Sequence, residues 1–171
     1  MERYSPMPPN PGRIIPPPLP GWSSWEDMMS PALEAARNAA VAGEVPVGAA
    51  LFSGHGALLA VAGNAAESRN DPTAHAEILA VREACRRSGN YRLEGSVLLV
   101  TLEPCLMCAG ALAHARLGGV VYGARDPDAG AVESCLEALD QPFLNHRVWH
   151  MGGICAEECA TLLRDFFLHR R

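Results

Sequence analysis

The chain contains no lysine, since all fourteen of its basic residues are arginine, and this excludes any mechanism built on a lysine nucleophile. Charge of either sign is sparse, at 19% of residues, and the balance of −5 with a pI near 5.6 argues against a protein that binds nucleic acid through bulk basicity. A local arginine patch could still grip phosphates. Long apolar runs are missing too: no stretch approaches the roughly 18 residues that suggest a membrane span, so a soluble protein is expected. The opening MERYSPMPPNPGRIIPPPLP lacks the apolar core and small-residue cleavage site of a signal peptide. The six cysteines are accordingly expected to be reduced thiols of a cytoplasmic protein and not a disulfide framework.

What is present fits one globular domain, with 171 residues of which 49% are hydrophobic. Eight of the first twenty residues are proline, a composition that buries too little to offset its ordering entropy. Residues 1–22 are therefore expected to form a disordered tail and residues 23–171 the domain. The Ala-rich stretch from Ser24 to Gly43 reads as a helix, with Ser30 and Pro31 either starting it or kinking one already begun. VPVGAALF and ALLAVAG, joined by SGHG, form a hairpin candidate, and NAAESRNDPT a loop. AHAEILAVREACRRSG is helical, SVLLVTL a buried strand, PCLMCAGALAHARL helical and GVVYGA a short strand. A polar loop then leads to the amphipathic helix EECATLLRDFFLHRR. Alternating strands and helices without an internal repeat predict helices on both faces of one sheet.

Chemistry concentrates at two helix starts. Cys105 and Cys108 stand three apart where the strand SVLLVTL gives way to a helix, which places both sulfurs on one face of its first turn. The helix N-terminus there favours the thiolate forms a metal requires. No second C-x-x-C completes a closed structural site. His75, in His75-Ala76-Glu77 at the start of another helix, supplies a third ligand and leaves the fourth tetrahedral position to water, as in catalytic zinc sites. Zinc lowers the pKa of bound water to about 7, and Glu77 is the natural carboxylate to carry its proton. The plainer alternatives are two core thiols with a surface histidine, and a solvated carboxylate on a helix dipole. Cys85, Cys135, Cys155 and Cys159 sit in ordinary apolar contexts; His150, Cys155 and Cys159 suggest a second metal, but core packing is favoured.

His75-Ala76-Glu77 with Pro104-Cys105-Leu106-Met107-Cys108 matches the H-x-E and P-C-x-x-C signature of zinc-dependent nucleobase deaminases. From about Glu44 onward the chain resembles the bacterial tRNA-specific adenosine deaminases more closely, in EVPVGA, Asn64, NDPTAHAEILA, NYRL, VTLEPCLMCAGAL, VYGARD, NHRV and the closing DFF. The resemblance implies a three-layer α/β/α sandwich around a five-stranded mixed sheet, a homodimer, one Zn²⁺ per chain, and conversion of the wobble adenosine of a tRNA anticodon to inosine. It implies His75, Cys105 and Cys108 as zinc ligands, Glu77 as proton shuttle, Asn64 on the flipped base or its ribose, and Asp126 on neighbouring sugars. Asn145, His146 and Arg147 correspond to an RNA-facing loop, and Phe166, Phe167, Arg170 and Arg171 to a helix closing on the anticodon loop. Read without the resemblance, Asn64 is more simply a turn former, and Asp126 reads as a turn former as readily as a contact residue. Two other functions share these motifs: deamination of a free nucleoside, nucleotide or base of the cytidine, deoxycytidylate or guanine type, and a non-catalytic RNA-binding subunit on the same fold. Glu77 speaks against the last, because binding alone has no need of a proton shuttle.

Overall fold

The computed structural model describes residues 16–169. Helix α1 runs Trp25–Val41, strands β1 and β2 Gly48–Phe52 and Leu58–Gly63, and helices α2 and α3 Ala66–Arg69 and Ala76–Ser88. Then follow β3 (Val97–Leu102), α4 (Leu106–His114), β4 (Gly119–Ala124), a 3₁₀ turn at Ala138–Asp140, β5 (Trp149–Gly152) and α5 (Ala156–Leu168). The strands form one mixed sheet in the order β2-β1-β3-β4-β5. β1 pairs antiparallel with both β2 and β3, whereas β3–β4 and β4–β5 are parallel.

Every residue of β1 and β4 is buried, as expected for strands covered on both faces, while the edge strand β2 is partly exposed. Alternate side chains feed two cores. Ala49, Leu51, Leu98, Val100, Val120 and Tyr122 pack with α3 and α4. Ala50, Phe52, Val97, Leu99 and Val121 pack with α1 and with Cys159 of α5, and Met28 and Met29 are fully enclosed there. The result is the expected three-layer α/β/α sandwich around a five-stranded mixed sheet.

Local chemistry explains most boundaries. Ser24 caps α1, its hydroxyl accepting from Asp27 N at 3.0 Å. Pro31 lies inside this helix and does not begin it, so the carbonyl one turn earlier loses its N–H partner while the helix continues. Gly48 lets β1 approach α1, since a Cβ there would stand 2.0 Å from Ala32 O. Leu19 and Trp22, inside the segment expected as a tail up to residue 22, pack on the second core, and the Trp25 indole donates to Pro16 O at 3.0 Å. The remainder of that segment, residues 1–15, lies outside the described residues. Two elements were not foreseen at their places: β5, in what reads as polar loop, and the four-residue α2 inside NAAESRNDPT.

The register puts four connections at one end of the sheet. Gly48 faces Gly63, Ala49 faces Val100, and Leu102 faces Ala124. Residues leading into β1 and leaving β2, β3 and β4 therefore emerge together, and the functional residues lie there.

Candidate metal centre and cavity

His75 and Cys105 are the N-cap residues of α3 and α4, and Cys108 is in the first turn of α4. Two helix N-termini thus converge at the carboxyl end of β3, each presenting ligand-type side chains before its helical hydrogen bonding begins. His75 Nδ1 stands 3.7 Å from Cys105 Sγ and 3.6 Å from Cys108 Sγ. Tetrahedral zinc with bonds of about 2.3 Å to sulfur and about 2.0 Å to nitrogen separates such N and S atoms by about 3.5 Å, so the donor set fits. Among the described residues this trio is the one His/Cys/Asp/Glu group placed to hold a metal. The His150, Cys155 and Cys159 set makes no such cluster; His150 instead approaches Asp140 Oδ2 at 2.9 Å and Glu133 Oε1 at 3.3 Å.

The charge pattern of the trio calls for a cation. Two sulfurs this close do not both ionise unaided: hydrogen bonding from Cys108 and His75 holds the Cys105 thiol down at about 4, while its neighbour Cys105 and burial push Cys108 up. His75 is raised chiefly by its contact with Cys105. A bound dication would let both sulfurs serve as thiolates. Glu77, two residues after His75, is 3% exposed, burial raises its carboxyl, and its Oε2 lacks a hydrogen-bond partner. A buried oxygen with no partner costs free energy unless it faces a bound group or a reacting one.

The trio's His75 and Cys105, with Glu77, line a cavity of about 340 Å³ whose other walls include Glu44, Asn64, Glu103 and Asp126. Asn64 leaves β2 with its backbone held by Val47 O at 2.9 Å and its side-chain Nδ2 donating to Glu44 at 3.3 Å. Asp126 forms a turn, its Oδ1 accepting from Asp128 N and Ala129 N, each at 3.1 Å, and the residue also lines the cavity.

The remaining expected contacts lie elsewhere. Asn145 and His146 line a larger groove of about 660 Å³ along α4, with Tyr91, Arg92, Leu106 and Phe143; it contains none of the trio, so the chemistry belongs to the smaller cavity. His146 Nε2 stands 2.6 Å from Leu117 O and Arg147 donates to Asp140 O at 3.2 Å, so both side chains brace the loop that carries them. Phe167 is exposed on α5 beside Phe166 and lines neither cavity. Arg170 and Arg171 lie outside the described residues.

Sequence reasoning passed over two carboxylates. Glu44 and Glu103 are each 2% exposed. Glu44 accepts from Asn64, Glu67 N and Ser68 N; Glu103 accepts from the backbone of Asp126, Val132, Glu133 and Ser134 and from the Ser134 hydroxyl. The available signal was a lone acid bordering an apolar run, in GEVPVGA and VLLVTLEPC, where burial demands partners.

Residues 23–171 match the MafB19-like deaminases. A tRNA-specific adenosine deaminase of Haemophilus influenzae is 44% identical over 146 residues, covering 85% of this chain and 84% of that protein. One of Aquifex aeolicus is 46% identical over 143 residues, covering 83% and 93%. Among solved structures, one from studies of A-to-I editing by tRNA:A34 deaminases at the wobble position of transfer RNA superposes with a TM-score of 0.77 at 44% identity, over 80% of this chain and 99% of that one. A guanine deaminase from Nitrosomonas europaea aligns with a TM-score of 0.70 at 25% identity, over 88% and 87%.

Proposed function

This chain belongs to the MafB19-like deaminase family and to the tRNA-specific adenosine deaminases, and from that premise we propose that it converts adenosine to inosine at the wobble position of a tRNA anticodon by hydrolytic deamination. The observation that carries the reading is the His75, Cys105, Cys108 trio at metal-binding distance, with the buried carboxyl of Glu77 beside it. The tRNA-specific relatives stand at 37–46% identity and guanine deaminases at 25–32%, which favours the anticodon over a free base.

We assign His75, Cys105 and Cys108 to one Zn²⁺, which when bound supplies a Lewis acid that lowers the pKa of the attacking water to about 7. Glu77 takes the water's proton and delivers it to the ring nitrogen next to the carbon under attack. The carboxylate then takes the remaining proton from the oxygen now bonded to that carbon and passes it to the amino group, so the carbon–nitrogen bond breaks, the oxygen becomes the carbonyl of inosine and ammonia leaves. A raised carboxyl suits both halves of that duty, because a group that must accept and return a proton works best with a pKa near the operating pH. Asn64 and Asp126, on the walls, are assigned to the base and sugars. The anticodon loop suits such a site because its bases are already unpaired and can be splayed out cheaply. The Asn145–His146–Arg147 loop, Phe167 of α5 and the following Arg170, which lies outside the described residues, are assigned to the rest of the RNA.

The exposed apolar residues along α4 and the neighbouring loop, Leu106, Met107, Leu136 and Phe143, support a homodimer, since such a patch is costly on a monomer. Among the described residues no helix is long and apolar enough to cross a membrane, and we place the protein in the cytoplasm with its tRNA.

Nucleoside analysis of an anticodon stem-loop after incubation tests the activity. Inosine is expected in the stem-loop and not in free adenosine or cytidine, because contacts remote from the reacting base contribute to turnover. Turnover of a free nucleoside or base with an unaltered stem-loop would overturn the substrate assignment. Elemental analysis should find about one zinc per chain. Cys105→Ala combined with Cys108→Ala should abolish it, and retention of zinc by that variant would refute the ligand set.

A further inference from the structure

Asn64 and Glu44 stand together on the cavity wall, and the contact between them fixes something a side-chain amide cannot fix alone, namely which of its two ends faces a ligand. Amide nitrogen and oxygen occupy nearly the same space, and a half-turn of the side chain exchanges donor for acceptor. Glu44 decides between them. Its Oε1 accepts from Ser68 N at 2.7 Å, and its Oε2 from Glu67 N at 3.2 Å and Asn64 Nδ2 at 3.3 Å. Every one of these partners is a donor, the pattern an ionised carboxylate requires, and a carboxylate holds the amide nitrogen and repels the amide oxygen.

The surroundings leave little freedom for another arrangement. Glu44 is buried, and the backbone on both sides of the Asn64 side chain is pinned, Asn64 N to Val47 O at 2.9 Å and Ala65 N to Ala74 O at 3.0 Å. Through Glu67 and Ser68 the same carboxylate also holds the first turn of α2, so the amide and its neighbouring wall share one anchor. Among the described residues no donor is recorded at Asn64 Oδ1.

We infer that Glu44 is a positioning residue that turns the Asn64 amide so that its oxygen, and not its nitrogen, is offered to the substrate. The site then selects a substrate carrying an N–H or O–H donor at that point, either the exocyclic amine or a ribose hydroxyl. The inference rests on the reading of this cavity as the deaminase site.

A reciprocal swap tests it. In Glu44→Gln the new amide can donate to Asn64 Oδ1 and turn the asparagine round, so kcat/KM on an anticodon stem-loop should fall about 10- to 100-fold with zinc content unchanged. Asn64→Asp alone sets two carboxylates against each other and should also fall. Combining the two restores the polarity, because the glutamine donates to one aspartate oxygen and leaves the other as acceptor. The double variant should therefore exceed both single variants. Full activity in Glu44→Gln, or a double variant no better than the weaker single one, would overturn the inference. A stem-loop with 2′-deoxyadenosine at the target identifies the donor: a penalty that disappears in Glu44→Gln marks the ribose hydroxyl, and one that persists unchanged beside a rescued swap marks the amine. The side-chain NH₂ resonances of Asn64, followed by ¹⁵N NMR, report the contact without turnover. They should shift in Glu44→Gln, and unmoved resonances would count against Glu44 whatever the activity. Absence of inosine with the unaltered protein would instead strike at the proposed function.

Discussion

Glu77→Gln is expected to leave the fold and the zinc content intact while cutting the single-turnover rate by at least about 10²- to 10⁴-fold, the usual worth of one general acid–base group. The expected loss lies at or above the upper end because one carboxyl is assigned several proton transfers. Its position makes the test clean. Glu77 is in the first turn of α3, 3% exposed, with Oε2 lacking a partner, and glutamine fills the same volume without being able to carry a proton. A near-normal single-turnover rate would remove Glu77 from the mechanism. A loss of zinc together with activity would make it a ligand.

The parts of this site legible in the sequence are those set by local structure. Metal ligands at helix starts are local: His75 and Cys105 are caps, and a cap follows from the break between apolar strand and helical periodicity. GVVYGA coincides with β4 because a continuous β-branched run between glycines needs no distant information. WHMG is different, since four residues ending in glycine carry no strand pattern, and β5 exists because β4 offers it an edge from Gly119 to Tyr122. The short α2 has too few residues for periodicity and is held by Glu44, more than twenty positions earlier. His146 and Arg147 show the converse difficulty. A polar cluster in a loop reads as a contact surface, and here these side chains also bond backbone carbonyls, so composition alone cannot separate a brace from a contact.

Glu103→Ala is expected to lower the melting temperature by about 6–12 °C and, by loosening the wall that carries Asp126, to reduce editing as well. The carboxylate leaves β3 just before Cys105 and gathers the loop after β4, accepting from Asp126 N at 3.1 Å, Val132 N at 3.2 Å, Glu133 N at 2.7 Å and Ser134 N at 2.8 Å, and from the Ser134 hydroxyl. Gly130 makes room for it, since a Cβ there would lie 2.5 Å from the carboxylate. Hydrogen bonds to a charged group contribute about 1.5–3 kcal/mol each, but water can replace part of this set once the side chain is gone. A net cost of about 3 kcal/mol is therefore expected, and at this chain length each kcal/mol moves the melting temperature by about 2–4 °C. The pH dependence supplies an independent check. Burial alone would raise the Glu103 carboxyl, but the bonds from Ser134, Glu133 and Asp126 outweigh it and hold it below the ordinary 4.5. A carboxyl lowered by folding contributes stability that is complete above its unfolded value and is lost as the pH falls through its folded one. The gap in melting temperature between the unaltered protein and Glu103→Gln should thus be widest near neutrality and narrow as the pH drops below 4.5. A gap that stays constant across that range would mean that Glu103 acts through its shape alone and that its charge does not organise the loop.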